Sequence, residues 1–299
     1  MWYYEFVCGI HTWVKGVIIM AGNAQLRLLA AKARLGAIIG TYHAKSGHPG
    51  GSLSAADIFT YLYFNEMNVN PENPADENRD RFVLSKGHCC PSLYAVLSLK
   101  GFFDWSELES LRHVGAMLQG HPDMKKTPGV DMSTGSLGQG VSAACGMALA
   151  SKLDNKDYRV YTVLGDGECE EGEVWEAAMF ASHHNLDNIV FIVDQNGLQI
   201  DGAVEDVCGI EPLDKKFESF GFEVAKIDGH NFDDIANALN KARETKGKPF
   251  AILMKTVKGK GVSFMENEVG WHGKACNDEE YKVAVRELED EIARLEAEV

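Results

Sequence analysis

Two short apolar segments, each ending in a polar loop, constrain the fold of this chain more than any other feature. The first begins at Tyr158 and ends in Gly165-Asp-Gly-Glu168, and the second runs from Asn188 to Asn196. Both are rich in β-branched residues and break off at Gly, Asp or Asn, a pattern typical of buried parallel strands. Ligands of open α/β sheets bind beyond the carboxyl ends of such strands. We therefore expect Asp166 and Asn196, thirty positions apart, to lie close together.

The segment between these strands has the pattern of a helix. Val174, Ala177 and Ala181 recur at helical spacing, and acidic residues crowd its first turn near Glu171. The same alternation of helices and apolar strands continues to a strand expected over residues 249–255. The sequence thus predicts an α/β fold with a doubly wound, mostly parallel sheet and helices on both faces.

The residue types at the two strand ends suit a metal ion beside a diphosphate. Magnesium prefers hard oxygen ligands and usually takes only one or two of them from side chains. Asp166 offers a carboxylate and Asn196 an amide oxygen, while Gly165 and Gly167 let the backbone approach a phosphate closely. The amino end of the following helix adds N–H donors and a favourable dipole. Gly-Asp-Gly alone is a common turn, but the Asn at the end of the next strand makes a binding site the better interpretation.

The chain resembles a transketolase. The resemblance extends over roughly residues 24–280 and rests on motifs that occur in the order the family uses. These are Ser46-Gly-His-Pro-Gly50, Leu84-Ser-Lys-Gly-His88, Gly120-His-Pro122, Thr134-Gly-Ser-Leu-Gly-Gln-Gly140, Gly165-Asp-Gly-Glu-Cys-Glu-Glu-Gly172, Ile200-Asp-Gly202, Lys258-Gly-Lys-Gly261 and Trp271-His-Gly-Lys274. The resemblance implies the thiamine diphosphate-binding fold, with thiamine diphosphate and Mg²⁺, or another divalent cation such as Ca²⁺ or Mn²⁺, as cofactors.

The resemblance covers only the diphosphate-binding domain of a full transketolase. A complete chain of the family continues into a pyrimidine-binding domain, which holds the glutamate that activates the cofactor, and into a third domain. The resemblance therefore implies the amino-terminal half of a split transketolase whose partner is a separate carboxyl-terminal subunit, with an α2β2 assembly expected. The implied reaction transfers a two-carbon ketol unit from a ketose phosphate to an aldose phosphate, by default in the pentose phosphate pathway.

The family's functional residues can be transferred to this chain only by resemblance. His48 and His121 are expected to move protons at the donor carbonyl and hydroxyls. His88, expected near the diphosphate and the reacting carbon, and His272 are the further catalytic histidines. Glu171 is expected in a proton network across the assembly, although an exposed glutamate that complements the helix dipole is the alternative. The expected cofactor contacts are His88, Gly135, Leu137, Gly165, Asp166, Gly167 and Asn196. The expected metal ligands are Asp166, Asn196 and the backbone carbonyl of Leu198.

Composition is compatible with this interpretation and excludes some other classes of protein. A formal net charge of −15 disfavours a nucleic-acid or anionic-membrane surface, since both require clustered Lys and Arg. Seven cysteines with no Cys-x-x-Cys pair indicate reduced thiols and a cytoplasmic location rather than a disulfide framework or a zinc site.

The two ends of the chain differ from the rest. Residues 1–22 form an atypical extension that is too polar to span a membrane and lacks the features of a secretory signal, so we expect translation to start at Met20. Residues 23–280 are expected to form the cofactor-binding domain. Residues 281–299 belong to a charged helix whose Leu288, Ile292 and Leu295 suit a partner surface or docking on the same chain.

Two other functions stay open. One is membership of a different thiamine diphosphate enzyme, such as a 1-deoxy-xylulose phosphate synthase, which would use pyruvate and glyceraldehyde phosphate. The other is a non-catalytic paralogue that regulates a true enzyme, a role against which the intact Asp166, Asn196 and histidine set argues.

Overall fold

The computed structural model describes residues 21–299, so almost all of the predicted extension lies outside the described residues. Its centre is a five-stranded, entirely parallel sheet in the order β1-β2-β3-β7-β6. The strands are β1 (Arg81–Leu84), β2 (Val160–Gly165), β3 (Ile189–Gln195), β6 (Glu223–Asp228) and β7 (Phe250–Lys255), while β4 (Leu198–Gln199) and β5 (Gly202–Ala203) form a separate antiparallel pair.

Helices occupy both faces of this sheet. Those of the described residues are α1 (Asn23–His43), α2 (Pro49–Ser54), α3 (Ala56–Tyr61), α4 (Cys90–Lys100), α5 (Gln139–Leu153), α6 (Gly172–His183), α7 (Val204–Cys208), α8 (Leu213–Ser219), α9 (Phe232–Glu244) and α10 (Asp278–Glu296). Side-chain caps fix the first residues of two of these helices. The Asn231 side chain accepts from the Asp233 amide (2.9 Å) at the start of α9, and Asn277 forms a capping box with Glu280 at the start of α10.

The central strands have no polar face because each side of the sheet packs against helices. Val190 and Ile192 of β3 point into one buried cluster, whereas Phe191 and Val193 point into another on the opposite face. This alternation between two apolar layers explains why the strand sequences read as continuous hydrophobic runs. The predicted doubly wound α/β fold is confirmed.

The helical stretch after the first histidine motif differs from the prediction. The small and apolar residues over 54–64 predict one helical run there, whereas the chain forms α2 and α3 and then a wider π turn over Leu62–Glu66. The helical stretch starts earlier because Pro49, with its fixed φ, suits a first helical turn. Ser54 ends α2 with its hydroxyl bonded to Asp194 (2.6 Å), which ties the break to the end of β3.

The carboxyl-terminal helix docks on its own chain. Leu288, Ile292 and Leu295 of α10 are buried in a cluster that includes Leu28 and Leu35 of α1. Docking is therefore the better of the two alternatives for this amphipathic stripe. Within residues 21–299, no helix is long and apolar enough to cross a membrane.

Candidate active site at the carboxyl end of the sheet

The loops after β2 and β3 are joined by one carboxylate. Gly165 of β2 pairs in register with Asp194 of β3, so Asp166 and Asn196 emerge side by side. Asp166 accepts hydrogen bonds from the amides of Gly167 (2.9 Å) and Gly197 (2.5 Å), and it is buried. The structure thus brings the two predicted strand ends into direct contact.

Three kinds of oxygen atom that could bind a metal ion lie on these two loops. The Asn196 amide oxygen accepts from the Leu198 amide (3.1 Å), and the Leu198 carbonyl accepts from the Lys258 ammonium (2.9 Å). Burial and the neighbouring Asp194 carboxylate raise the pKa of Asp166 to about 6, so added positive charge would stabilise its ionised form. Among residues 21–299, no three His, Cys, Asp or Glu side chains are grouped as a metal site. One carboxylate, one amide and one carbonyl are the limited protein set that Mg²⁺ takes when phosphate and water complete its shell.

Four predicted histidines form one cluster beside these loops, which we call the histidine cluster (His48, His88, His121 and His272). The His48 ring centroid lies 5.2 Å from that of His88, 5.5 Å from His272 and 6.3 Å from His121. The His88 and His272 rings stack at 5.2 Å. His272 therefore belongs with the other three, although about half of the sequence separates it from the nearest of them, His121.

The histidine cluster is held in the neutral form. Burial, reinforced by Arg112, His121 and Lys258, lowers the pKa of His48 to about 4. Burial and the Lys258 ammonium lower the pKa of His272 to about 3, and burial and Lys86 also lower the pKa of His88. Partial burial and the positive charge of Arg112 lower the pKa of His121 as well. Neutral imidazoles at neutral pH can accept a proton and return it.

A buried ion pair forms the floor of the site. The Lys86 ammonium contacts the Asp194 carboxylate, and the two side chains are 2% and 0% exposed. Burial alone would lower the pKa of Lys86, but Asp194 and the other acidic groups nearby, among them Asp166, together outweigh burial and raise that pKa. Asp194 also accepts from Ser54 and Thr256, so its remaining lone pairs are satisfied. Neither Lys86 nor Asp194 was singled out from the sequence.

Glu168 joins three of the motif loops. Its carboxylate accepts from the Ser85 hydroxyl, from the Gly138 amide (2.9 Å) and from the Gly165 amide (3.1 Å). The residue is buried, and burial raises its pKa. An acid directly after Gly-Asp-Gly, in a loop expected to be enclosed, was the sequence signal that could have identified it.

The remaining predicted residues lie at the rim. Gly135 has φ +152°, and a Cβ there would lie 3.0 Å from the His121 ring, so this loop touches the histidine cluster. Leu137 is half-buried in the same loop. Glu171 is exposed at the start of α6, and a Cβ on Gly138 would lie 3.3 Å from its Cβ. Glu171 is thus beside the loop but outside the enclosed part of the site.

Comparison with known proteins identifies the family. Residues 26–291 match the family described as transketolase, thiamine diphosphate binding domain. The chain is 49% identical over 247 residues to the 6-deoxy-6-sulfo-D-fructose transketolase subunit SqwG of Clostridium sp. (strain MSTE9), covering 83% of this chain and 90% of that relative. It is 42% identical over 273 residues to an apulose-4-phosphate transketolase subunit of Phocaeicola vulgatus, covering 91% of this chain and 97% of that relative.

Full-length transketolases match over less than half of their length. Human transketolase is 41% identical over 268 residues, which cover 89% of this chain and 42% of the human protein. The crystal structure of transketolase from Campylobacter jejuni superposes with a TM-score of 0.84 at 33% identity, covering 92% of this chain and 46% of that one. The chain belongs to the transketolase family, and it corresponds to the amino-terminal, thiamine diphosphate-binding domain of the full-length members.

Proposed function

We propose that this chain is the diphosphate- and metal-binding half of a two-chain transketolase and is active only with a carboxyl-terminal partner subunit. The observation that carries the proposal is the convergence of the Asp166 and Asn196 loops with the histidine cluster at the carboxyl edge of the sheet. Two of the similar proteins are named as transketolase subunits and match this chain over nearly their whole length.

The donor set fits a divalent cation and a diphosphate. Asp166, Asn196 and the Leu198 carbonyl would hold Mg²⁺, or Ca²⁺ or Mn²⁺ in its place, and Lys258 would share the charge of the diphosphate. Gly165, Gly167, Gly135, Leu137 and His88 would complete the cofactor contacts. When bound, thiamine diphosphate supplies the chemistry that breaks and forms the carbon–carbon bonds.

The protein's own contribution is to orient the sugar and to move protons. His48 and His272 are half-buried and His121 is exposed at the edge of the cluster, and all three are neutral, so each can take a proton from a sugar hydroxyl and return it to a carbonyl oxygen. Lys86 and Asp194 keep the floor rigid without titrating at neutral pH. The expected substrates are sugar phosphates, and the panel to test includes sulfonated sugars because one relative is named for such a ketose.

An assembly of two copies of each chain is the expected form. Exposed Glu171 directly precedes α6, and the same helix exposes Met179 (56%) and Phe180 (38%). Exposed apolar side chains on the helix that follows Glu171 suit a face that another chain covers. In this assembly Glu171 would meet the neighbouring site and take part in a proton network.

The first experiment is affinity purification of the carboxyl-terminally tagged chain from its native cell, with mass identification of co-eluting proteins. A partner with a pyrimidine-binding domain, and ketol transfer by the complex that requires thiamine diphosphate and Mg²⁺, would support the proposal. Turnover of pyruvate with glyceraldehyde phosphate would instead indicate a 1-deoxy-xylulose phosphate synthase-like enzyme. A complex that binds the cofactor but turns over no substrate would indicate a non-catalytic paralogue.

A further inference from the structure

A second histidine–carboxylate pair lies outside the histidine cluster. His230, between β6 and α9, places its Nδ1 2.7 Å from Asp57 Oδ2 on α3. The other ring nitrogen, Nε2, lies 2.9 Å from the backbone nitrogen of Val257, just after β7. One imidazole therefore joins α3 to the loop that carries Lys258.

The geometry fixes which ring nitrogen carries the proton. A backbone amide can only donate, so Nε2 of His230 must accept from Val257, and Nδ1 then donates to Asp57. Arg34 contacts both oxygens of the Asp57 carboxylate, and both residues are buried. Burial raises the pKa of Asp57, but Arg34 and His230 together outweigh burial and the pKa falls, so the carboxylate is available as an acceptor. The imidazole has one defined orientation between a fixed carboxylate and a backbone amide.

The Val257 amide sits between two residues that reach the site. On one side the Thr256 hydroxyl donates to Asp194. On the other, the Lys258 ammonium donates to the Leu198 carbonyl (2.9 Å) and lies 3.1 Å from His272 Nδ1. Because Val257 directly precedes Lys258, the position of the Val257 backbone determines the position of the Lys258 Cα, from which its side chain extends to the site.

The two loops lie close together. A Cβ on Gly229, next to His230, would lie 2.5 Å from Thr256 Cγ2. On the far side, the Lys258 carbonyl accepts from the Asn267 amide (2.9 Å), and the Gly259 amide donates to the Gly50 carbonyl (2.9 Å). On the strand side of Lys258, His230 is the side chain that holds the adjacent backbone amide.

We propose that His230 is a positioning residue that, through the Val257 amide, holds Lys258 against the Leu198 carbonyl and His272 at the diphosphate end of the site. The inference rests on the function proposed above. His230 itself acts at a distance, since its ring meets Asp57 and the Val257 backbone rather than the ligand-binding face.

Two isosteric substitutions separate the two ends of the imidazole. In His230→Asn, the side-chain amide nitrogen can replace Nδ1 and donate to Asp57, but no atom reaches Val257. In His230→Gln, the side-chain oxygen can replace Nε2 and accept from Val257. His230→Ala removes both interactions, and His43→Asn, at an exposed histidine ending α1, is the matched control.

The first measurement is amide hydrogen exchange of the peptide containing Val257 in the cofactor-free chain. Exchange is expected to speed up in His230→Asn and His230→Ala and to stay slow in His230→Gln and the control. The second is the Kd of thiamine diphosphate for the assembled complex at saturating Mg²⁺. This Kd is expected to rise about tenfold in the Asn and Ala variants, a loss of about 1.4 kcal/mol of binding free energy. In the Gln variant it is expected to stay within about twofold of the wild-type value.

Two results would overturn the inference while leaving the proposed function intact. One is full cofactor affinity in all three variants. The other is rescue by Asn and not by Gln, which would mean that His230 matters only as the partner of Asp57. A wild-type complex that binds no cofactor would instead overturn the proposed function, and this inference with it.

Discussion

Replacement of Lys86 by methionine tests the buried ion pair beneath the site. Methionine keeps most of the packing volume and removes the charge, so Asp194, with a fully buried side chain, loses its cation. Two unit charges about 3 Å apart attract by ~5 kcal/mol at an effective dielectric constant of about 20. Breaking one side of a buried pair commonly costs about 3–5 kcal/mol. Because Ser54, Thr256 and Asn196 still donate to Asp194, we expect a loss at the lower end of this range, about 3 kcal/mol in the free energy of unfolding.

The assay is urea unfolding of the isolated chain at pH 7 and pH 5. In the wild type, burial raises the pKa of Asp194, but Lys86 together with the hydrogen bonds from Ser54 and Thr256 outweighs burial, so the folded pKa lies below the unfolded one. That contribution to stability is complete above the unfolded pKa and is lost only as the pH falls through the folded pKa. In Lys86→Met, burial dominates and the folded pKa lies above the unfolded one, so protonation restores stability as the pH falls. The difference in free energy of unfolding between the wild type and Lys86→Met should therefore be larger at pH 7 than at pH 5.

The control is Lys215→Met at an ion pair whose side chains are 66% and 47% exposed. Such a pair contributes about 0–1 kcal/mol. A loss of less than about 1 kcal/mol in the free energy of unfolding of Lys86→Met at pH 7, a value within the range of an exposed pair, would refute the predicted role of the ion pair. An equal loss at pH 7 and pH 5 would refute it as well.

Three further predictions concern the site itself. Asp166→Ala should abolish Mg²⁺-dependent binding of thiamine diphosphate to the assembled complex, measured by titration calorimetry, and retained affinity would mean that the cradle is misplaced. His121→Ala should leave cofactor affinity unchanged and slow ketol transfer about 10²-fold or more, in the range for loss of a general acid–base group, whereas an unchanged rate would remove His121 from the mechanism. The lowered pKa values of His48 and His272 mean that the unfolded chain binds more protons, so the Tm should fall as the pH drops from 6.5 towards 4, and less steeply in a variant with glutamine at both positions. An equal slope in that double variant would show that other groups control the acid sensitivity.

The parts of the site that could be predicted from sequence are those encoded locally. The strands before Asp166 and Asn196 are short apolar runs with sharp polar ends, and β2 and β3 stop at Gly165 and Gln195. Parallel pairing then brings their ends together without further information. The histidines were found through motif resemblance, and the structure places all four in one cluster.

The parts that could not be predicted depend on pairs distant in the chain. Lys86 and Asp194 are 108 residues apart, and Asp57 and His230 are 173 residues apart. The residues around Lys86 carry no signal of which carboxylate its ammonium will contact, because the order of the strands in the sheet decides this. Lys258 is a similar case, since only the folded chain shows its ammonium on the Leu198 carbonyl.

The position of the floor ion pair also sets an order of events during folding. Lys86 follows β1, Asp194 is the penultimate residue of β3, and β2 lies between these strands in the sheet. The two charges can therefore meet only after β2 has inserted, and burying either one earlier would leave a desolvated charge without a partner. Parallel pairing of distant segments is intrinsically slow, so we expect the ion pair to form late in folding. A ligand that binds on this floor would recognise only molecules that have completed folding, and it would stabilise the native state without assisting earlier steps.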